Sequence, residues 1–177
     1  MVRFVTVAFL AVALAPPSLC QSSKDSSDLV YGEDWAFAVA EPAGWRLDWK
    51  TAEQWGANAI LYRDAQGLRN GNDLIRITVA SKVDEHTEKD LQSDMKAYSD
   101  QYPGAVFLDL MVSHPTYQVL SKLFQVRGES YEYVTYLNPG PQFRYVLSIA
   151  FNKLRSPASE KELSTFREVV ASLRMVH

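Results

Sequence analysis

The chain has little to staple it. One cysteine, Cys20, stands among 177 residues. A disulfide takes two and a thiolate metal site takes more, so neither holds this fold together. Histidine is almost as scarce. His86, His114 and His177 are the only three, and no two of them stand at a metal-ligand spacing. There is no Gly-x-Ser-x-Gly elbow to expose a nucleophilic serine. The nearest thing to a phosphate cradle, Gly67-Leu68-Arg69-Asn70-Gly71, runs into a strand pattern and not into a helix. No charge of one sign dominates: 18 Lys and Arg face 21 Asp and Glu, interspersed, for a net −3. That argues against nucleic acid or an anionic membrane surface as the main partner. No apolar run beyond residue 20 approaches the roughly 20 residues that span a bilayer. Internal repeats are absent as well.

What is present begins at the N-terminus. Arg3 gives a positive charge, Phe4 to Ala15 is apolar or small apart from Thr6, and Pro16-Pro17 ends the run. Ser18 and Cys20 then stand three and one before Gln21. This is the three-part layout of a secretory signal peptide, expected over residues 1–20. The protein is therefore expected to be exported, periplasmic or secreted, after cleavage near Cys20-Gln21. Two alternatives are a lipid on Cys20, for which Leu19 is a poor neighbour, and an uncleaved anchor. Cleavage removes the cysteine and one arginine, leaving the mature chain one unit more acidic. Gln21 to Asp28 is polar and serine-rich, expected as a flexible leader over 21–28. A single domain is expected over 29–177, and 47% hydrophobic content suits a packed core.

Within the domain, period-two patterns come first. Leu29-Val30-Tyr31 predicts a short strand, and Trp35, Phe37 and Val39 alternate with alanines in another. Ala59 to Arg63 and Leu74 to Ser81 are strand-like, around a loop over 66–73. Thr87 then precedes a helical stripe of Leu91, Met95, Tyr98 and Tyr102, ended by Pro103-Gly104. Four strands follow between 105 and 153, the last carrying Phe143, Tyr145, Leu147, Ile149 and Phe151 on one face. The C-terminal segment predicts a helix with Leu163, Phe166, Val169, Val170 and Leu173 buried. Ser156 with Pro157 is its expected cap, and Ser159 with Glu162 the alternative capping box. Short turns make the later strands antiparallel neighbours. The expected class is α+β: an antiparallel sheet of about six to eight strands with two main helices packed on it.

The stretch Phe37-x-Val39-x-x-Pro42-x-Gly44-Trp45 resembles the opening signature of the PsbP-like superfamily. The order of elements and the Phe166-x-x-Val169-Val170-x-Ser172-Leu173 ending match it too, so the likeness covers roughly 29–175. It implies a PsbP-like α/β/α sandwich and an accessory or binding role without a shared catalytic centre. Phe37, Val39, Pro42, Gly44 and Trp45 carry over as structural positions only.

Two weak candidate sites remain. Asp84, Glu85, His86 and Glu88 offer oxygen and nitrogen ligands to a divalent ion. A solvated turn whose acids complement a helix N-terminus explains the same residues. Trp49 and Trp55, with Tyr62 just beyond, are placed to line a ligand or peptide groove. Covering sheet edges and helix ends explains those. No acid is read as flanked by the apolar residues that would raise its pKa. The expected function is therefore an exported, non-enzymatic accessory domain. It would dock a partner protein through loops or the sheet face without helices, with no cofactor and no nucleic acid. The alternatives are a small-ligand or divalent-cation binder, and a hydrolase with an unrecognised site.

Overall fold

A computed structural model describes residues 27–63, 68–69, 73–82 and 87–176. Its strands are β1 (Ser27–Tyr31), β2 (Ala36–Ala40), β3 (Arg46–Asp48), β4 (Ala59–Tyr62), β5 (Leu74–Ser81), β6 (Val106–Asp109), β7 (Gln118–Val126), β8 (Ser130–Asn138), β9 (Tyr145–Leu154) and β10 (Arg174–Val176). A 3-10 turn spans Ala52–Trp55, helix α1 spans Glu88–Gln101 and helix α2 spans Glu160–Ser172. Seven strands form one antiparallel sheet in the order β3-β4-β5-β9-β8-β7-β6. The other three form a small antiparallel sheet with β2 in the middle. The expected α+β class holds.

Strand alternation separates the large sheet into two faces. Ile75 and Ile77 pair with Phe151 and Ile149, which pair in turn with Tyr133 and Thr135. These residues share one face, here called inner. Phe37 and Val39 of β2 and Phe166, Val169, Val170 and Leu173 of α2 close over it in one apolar cluster. Phe151, fully buried, sits among Trp45, Tyr133 and Phe166, with ring centroids 6.2, 5.9 and 6.1 Å away. The Phe-Val-Pro-Gly-Trp stretch serves this cluster. Trp45 N–H donates to the Pro42 carbonyl at 3.0 Å across a turn whose third residue, Gly44, has φ +79°. A side chain there would be strained, so glycine sets the turn that drops Trp45 into the core.

The opposite, outer face carries α1. Leu91, with half-buried Met95 and Tyr98, packs on Phe124, Val134, Tyr136 and Val146. The two helices thus lie on opposite faces of the sheet.

Several local expectations change. Ser27 and Asp28, expected in the leader, pair with Ala40 and Val39 as part of β1. Leu68 and Arg69 are helical where a loop was expected, while most of 66–73 lies outside the described residues. Ser159, not Ser156, caps α2: its hydroxyl accepts from Glu162 N–H, and the Glu162 carboxylate accepts from Ser159 N–H at 2.7 Å. That reciprocal pair satisfies two end groups where Ser156 would satisfy one. Thr87 takes the position before α1 with φ 64° and makes no capping bond from its side chain. Finally, Arg174–Val176 leaves the helix and pairs with β2. The free edge of β2 captures a segment too short to show a period of its own.

Candidate functional site

Helix α1 presents Asp90, Asp94, Tyr98 and Gln101 at helical spacing along one side. Between that side and the outer face of β5, β9 and β8 lies a cleft of about 460 Å³. Its floor is polar because the outward positions of these strands are polar: Arg76, Thr78, Ser148, Glu132 and Tyr136. Arg76 on β5 and Glu132 on β8 are separated by β9. There the position beside Arg76 is Ala150, small enough for the guanidinium to reach across. Arg76 Nη2 lies 2.5 Å from Glu132 Oε1. The Asn152 side chain also hydrogen-bonds Glu132. The Glu132 side chain is only 17% exposed. Burial pushes its carboxyl above the usual range, against the pull of Arg76.

Tyr136 donates its hydroxyl to Asp94, which ties the helix to the floor. Burial and the Asp94 carboxylate raise the Tyr136 hydroxyl well above its ordinary value, so it stays protonated. Tyr98, raised mainly by burial, shares a 3.0 Å hydrogen bond with Ser130. Arg76 Nε and Asn152 Oδ1 are shut off from water and have no hydrogen-bond partner. The described lining of the cleft is therefore polar, with a charged pair in its floor and the rings of Tyr98, Phe124 and Tyr136 among its residues. Among the described residues, its lining includes no histidine, cysteine or lysine to activate the Ser93 or Ser148 hydroxyl.

A second groove, about 550 Å³, lies where the β1–β2 turn meets the segment before β9. Tyr31, Trp35, Phe143, Tyr145 and Val176 line it, beside an Arg144–Asp34 ion pair. Gly32 is required there, because any Cβ at that position would run into the Trp35 ring. Tyr31 is 74% exposed.

The sequence candidates fall elsewhere. Asp84, Glu85 and His86 lie outside the described residues, and Glu88 is exposed in the first turn of α1. Among the described residues, no three His, Cys, Asp or Glu side chains converge to hold a metal ion. Trp55 and Tyr62 pack on one small cluster of Ala52, Ile60 and Leu74. Trp49 is largely exposed and stands outside that cluster. Sequence reasoning missed Arg76, Asp94, Glu132 and Tyr136. It also misjudged the acids: burial under neighbouring strands and α1 pushes the Glu132 carboxyl up, against the pull of Arg76 and Asn152. The available signal was a charge in phase on two strands, Arg76 and Glu132, on the face opposite the apolar one.

The fold and cleft define an antiparallel α+β domain with a polar hollow under one helix. No protein family model matches the chain, and no curated protein matches it. Among the described residues, no helix is long and apolar enough to cross a membrane.

Proposed function

We propose that this chain is an exported binding domain that acts without catalysis and holds a small ligand in the α1 cleft. The observation that carries the reading is the charged floor. A half-buried ion pair is weak evidence for stability, since apolar residues of similar volume often serve as well. Here Arg76 and Glu132 keep such a pair in the floor of an open cleft of ligand size. Export is supported by the signal-like N-terminus, and an accessory role by the PsbP-like signature around Trp45. Thermal-shift screening of small molecules tests the reading, with Ala97→Trp as the blocking variant, since Ala97 lines the cleft on exposed helix surface. A saturable ligand lost in Ala97→Trp supports it. A ligand that binds both proteins equally, or none across the panel, sinks it.

A second reading is docking of a partner protein, supported by the aromatic groove around Tyr31 and Trp35. Crosslinking in the native host followed by purification tests it. Loss of one stoichiometric partner in Tyr31→Asp supports docking there. Retention of the partner removes that groove from consideration.

A further inference from the structure

The seven-stranded sheet ends differently at its two edges. Strand β3 is three residues long and carries Arg46 and Asp48 around Leu47, the short, charged ending that keeps an edge from pairing with another chain. Strand β6, at the other edge, has no such protection. It reads Val106-Phe107-Leu108-Asp109, without proline, lysine or a bulge. Its one charge, Asp109, is held by Lys122 of the neighbouring strand. Phe107 turns to the outer face and packs edge-on against Phe124, with ring centroids 5.0 Å apart. Leu108 pairs with Leu123, and Leu123 with Tyr133, so Val106 and Leu108 turn to the inner face. There they stand 50% and 45% exposed, and Met111, just past the strand, is 85% exposed. Among the described residues, this is the densest run of exposed large apolar side chains. Among the described residues, no strand pairs with the outer edge of β6, along which alternate residues point their N–H and C=O groups away from the sheet.

What fits such an edge follows from register. Opposite residues of an antiparallel pair share a face, so two copies of β6 must meet with Val106 and Leu108 on one side and Phe107 on the other. A two-fold axis must then pass through a residue. An axis at Val106 sets Pro103, which has no N–H, against the partner's Asp109. Axes at Leu108 and Asp109 set the partner's Asp109 against Phe107 and against Asp109 itself. An axis at Phe107 sets Val106 against the partner's Leu108, Phe107 against the partner's Phe107 and Ala105 against the partner's Asp109. That register buries apolar against apolar, brings no like charges opposite and keeps proline out of the ladder. The strand complements itself, as a two-fold interface requires. We propose that β6 pairs with β6 of a second copy, antiparallel about Phe107, joining the two seven-stranded sheets into one. The inference is independent of the cleft reading.

A short strand on each side makes a small interface of the transient class, so the dimer is expected with a Kd of about 10–100 µM. Sedimentation velocity of the purified protein over roughly 1–500 µM is expected to show the mass rise from monomer towards dimer. Leu108→Lys puts the charge that protects natural edges at an exposed position and is expected to weaken the dimer at least about tenfold. Leu29→Lys, a like change on the open edge of β1, is expected to leave it unchanged. Cysteine pairing reads the register. Protein carrying Ala105→Cys, mixed with protein carrying Asp109→Cys, is expected to oxidise to a disulfide-linked dimer, because facing Cα atoms lie about 4.5–5.5 Å apart, within disulfide reach. Neither variant alone is expected to do so. A chain that stays monomeric throughout overturns the inference and leaves the edge to a strand of another protein. A dimer that survives Leu108→Lys, is lost in Leu29→Lys or gives no mixed disulfide overturns it as well.

Discussion

The two faces of the seven-stranded sheet come from alternate residues of the same strands, yet they solve different problems. The inner face buries Ile75, Ile77, Leu147, Ile149 and Phe151 completely, sealed by α2 and the small sheet. The outer face keeps Arg76, Thr78, Glu132 and Ser148 under a helix that covers it only in part. Apolar packing on one side supplies the free energy that lets the other side hold half-buried charge. Function is best sought where a fold retains groups that cost stability.

The largest expected effect breaks the inner face. Phe151→Ala removes a ring in contact with three others and is expected to cost about 3–5 kcal/mol, on the order of 10 °C in Tm. Val134→Ala on the outer face should cost clearly less, because the cleft beside it lets neighbours relax. Urea unfolding of both variants checks the pair. Equal losses would show that the two faces carry the fold alike.

The next effect sharpens the contrast. Arg76→Met or Glu132→Leu alone leaves a partly buried charge unpaired and is expected to cost roughly 1–3 kcal/mol. The double variant removes both charges and should lie within about 1 kcal/mol of the parent. A double-mutant cycle measures this. A double variant as unstable as the sum of its singles would mean zero coupling, so that the two side chains act independently and not as a pair.

How much of this was legible follows the same division. The inner face could be read from Leu147, Ile149 and Phe151 at every second position and from the Phe166 to Leu173 stripe, because local period and core burial agree there. The Ser159–Glu162 box was legible as well, as a local motif. Strand β10 was not, since Arg174–Val176 is a strand only because β2 offers an edge. The cleft was not, since Arg76 and Glu132 stand 56 residues apart and meet across the small Ala150. A charge within a strand pattern reads as solvent-facing until the neighbouring strand and helix are known.

A third, smaller effect concerns the Lys153 charge cluster at the inner-face edge. Lys153, 8% exposed, bonds Asp73 and lies 2.9 Å from Glu162. Burial alone would raise the Glu162 carboxyl, but Ser159 and Lys153 outweigh it and hold it down to about 2. A carboxyl lowered on folding adds stability that is present above about pH 4.5 and lost as pH falls towards 2. Glu162→Gln is expected to cost about 1–2 kcal/mol at neutral pH, after allowance for solvent screening, and to flatten the acid limb of the stability curve. An acid limb unchanged in the variant would remove Glu162 as its source.

The smallest effect lies where the inner layer ends. His114 Nδ1 accepts from the N–H groups of Thr116 and Tyr117 at 3.0 and 2.9 Å, so the neutral ring carries its proton on Nε2, 2.9 Å from the Leu173 carbonyl and crowded by Arg174 Nη1 at 2.8 Å, which donates to the same carbonyl. Tyr117 stacks on the ring at 4.5 Å and accepts from Met175 N–H, so the imidazole helps seat the junction between α2 and β10. A second proton would have to enter Nδ1, facing two donors. Burial, together with the adjacent Arg174 charge, lowers the His114 pKa, although its bond to Leu173 works the other way. The unfolded chain therefore binds the extra proton first. The His114 contribution is intact above about pH 6.5 and is lost as pH falls below it. The urea midpoint of the parent should drop between about pH 7 and pH 5, and that of His114→Gln should drop less over the same interval. Parallel curves would place the sensitivity in other groups. A steeper fall in the variant would reverse the sign and show that the charged imidazole is the form the folded junction prefers.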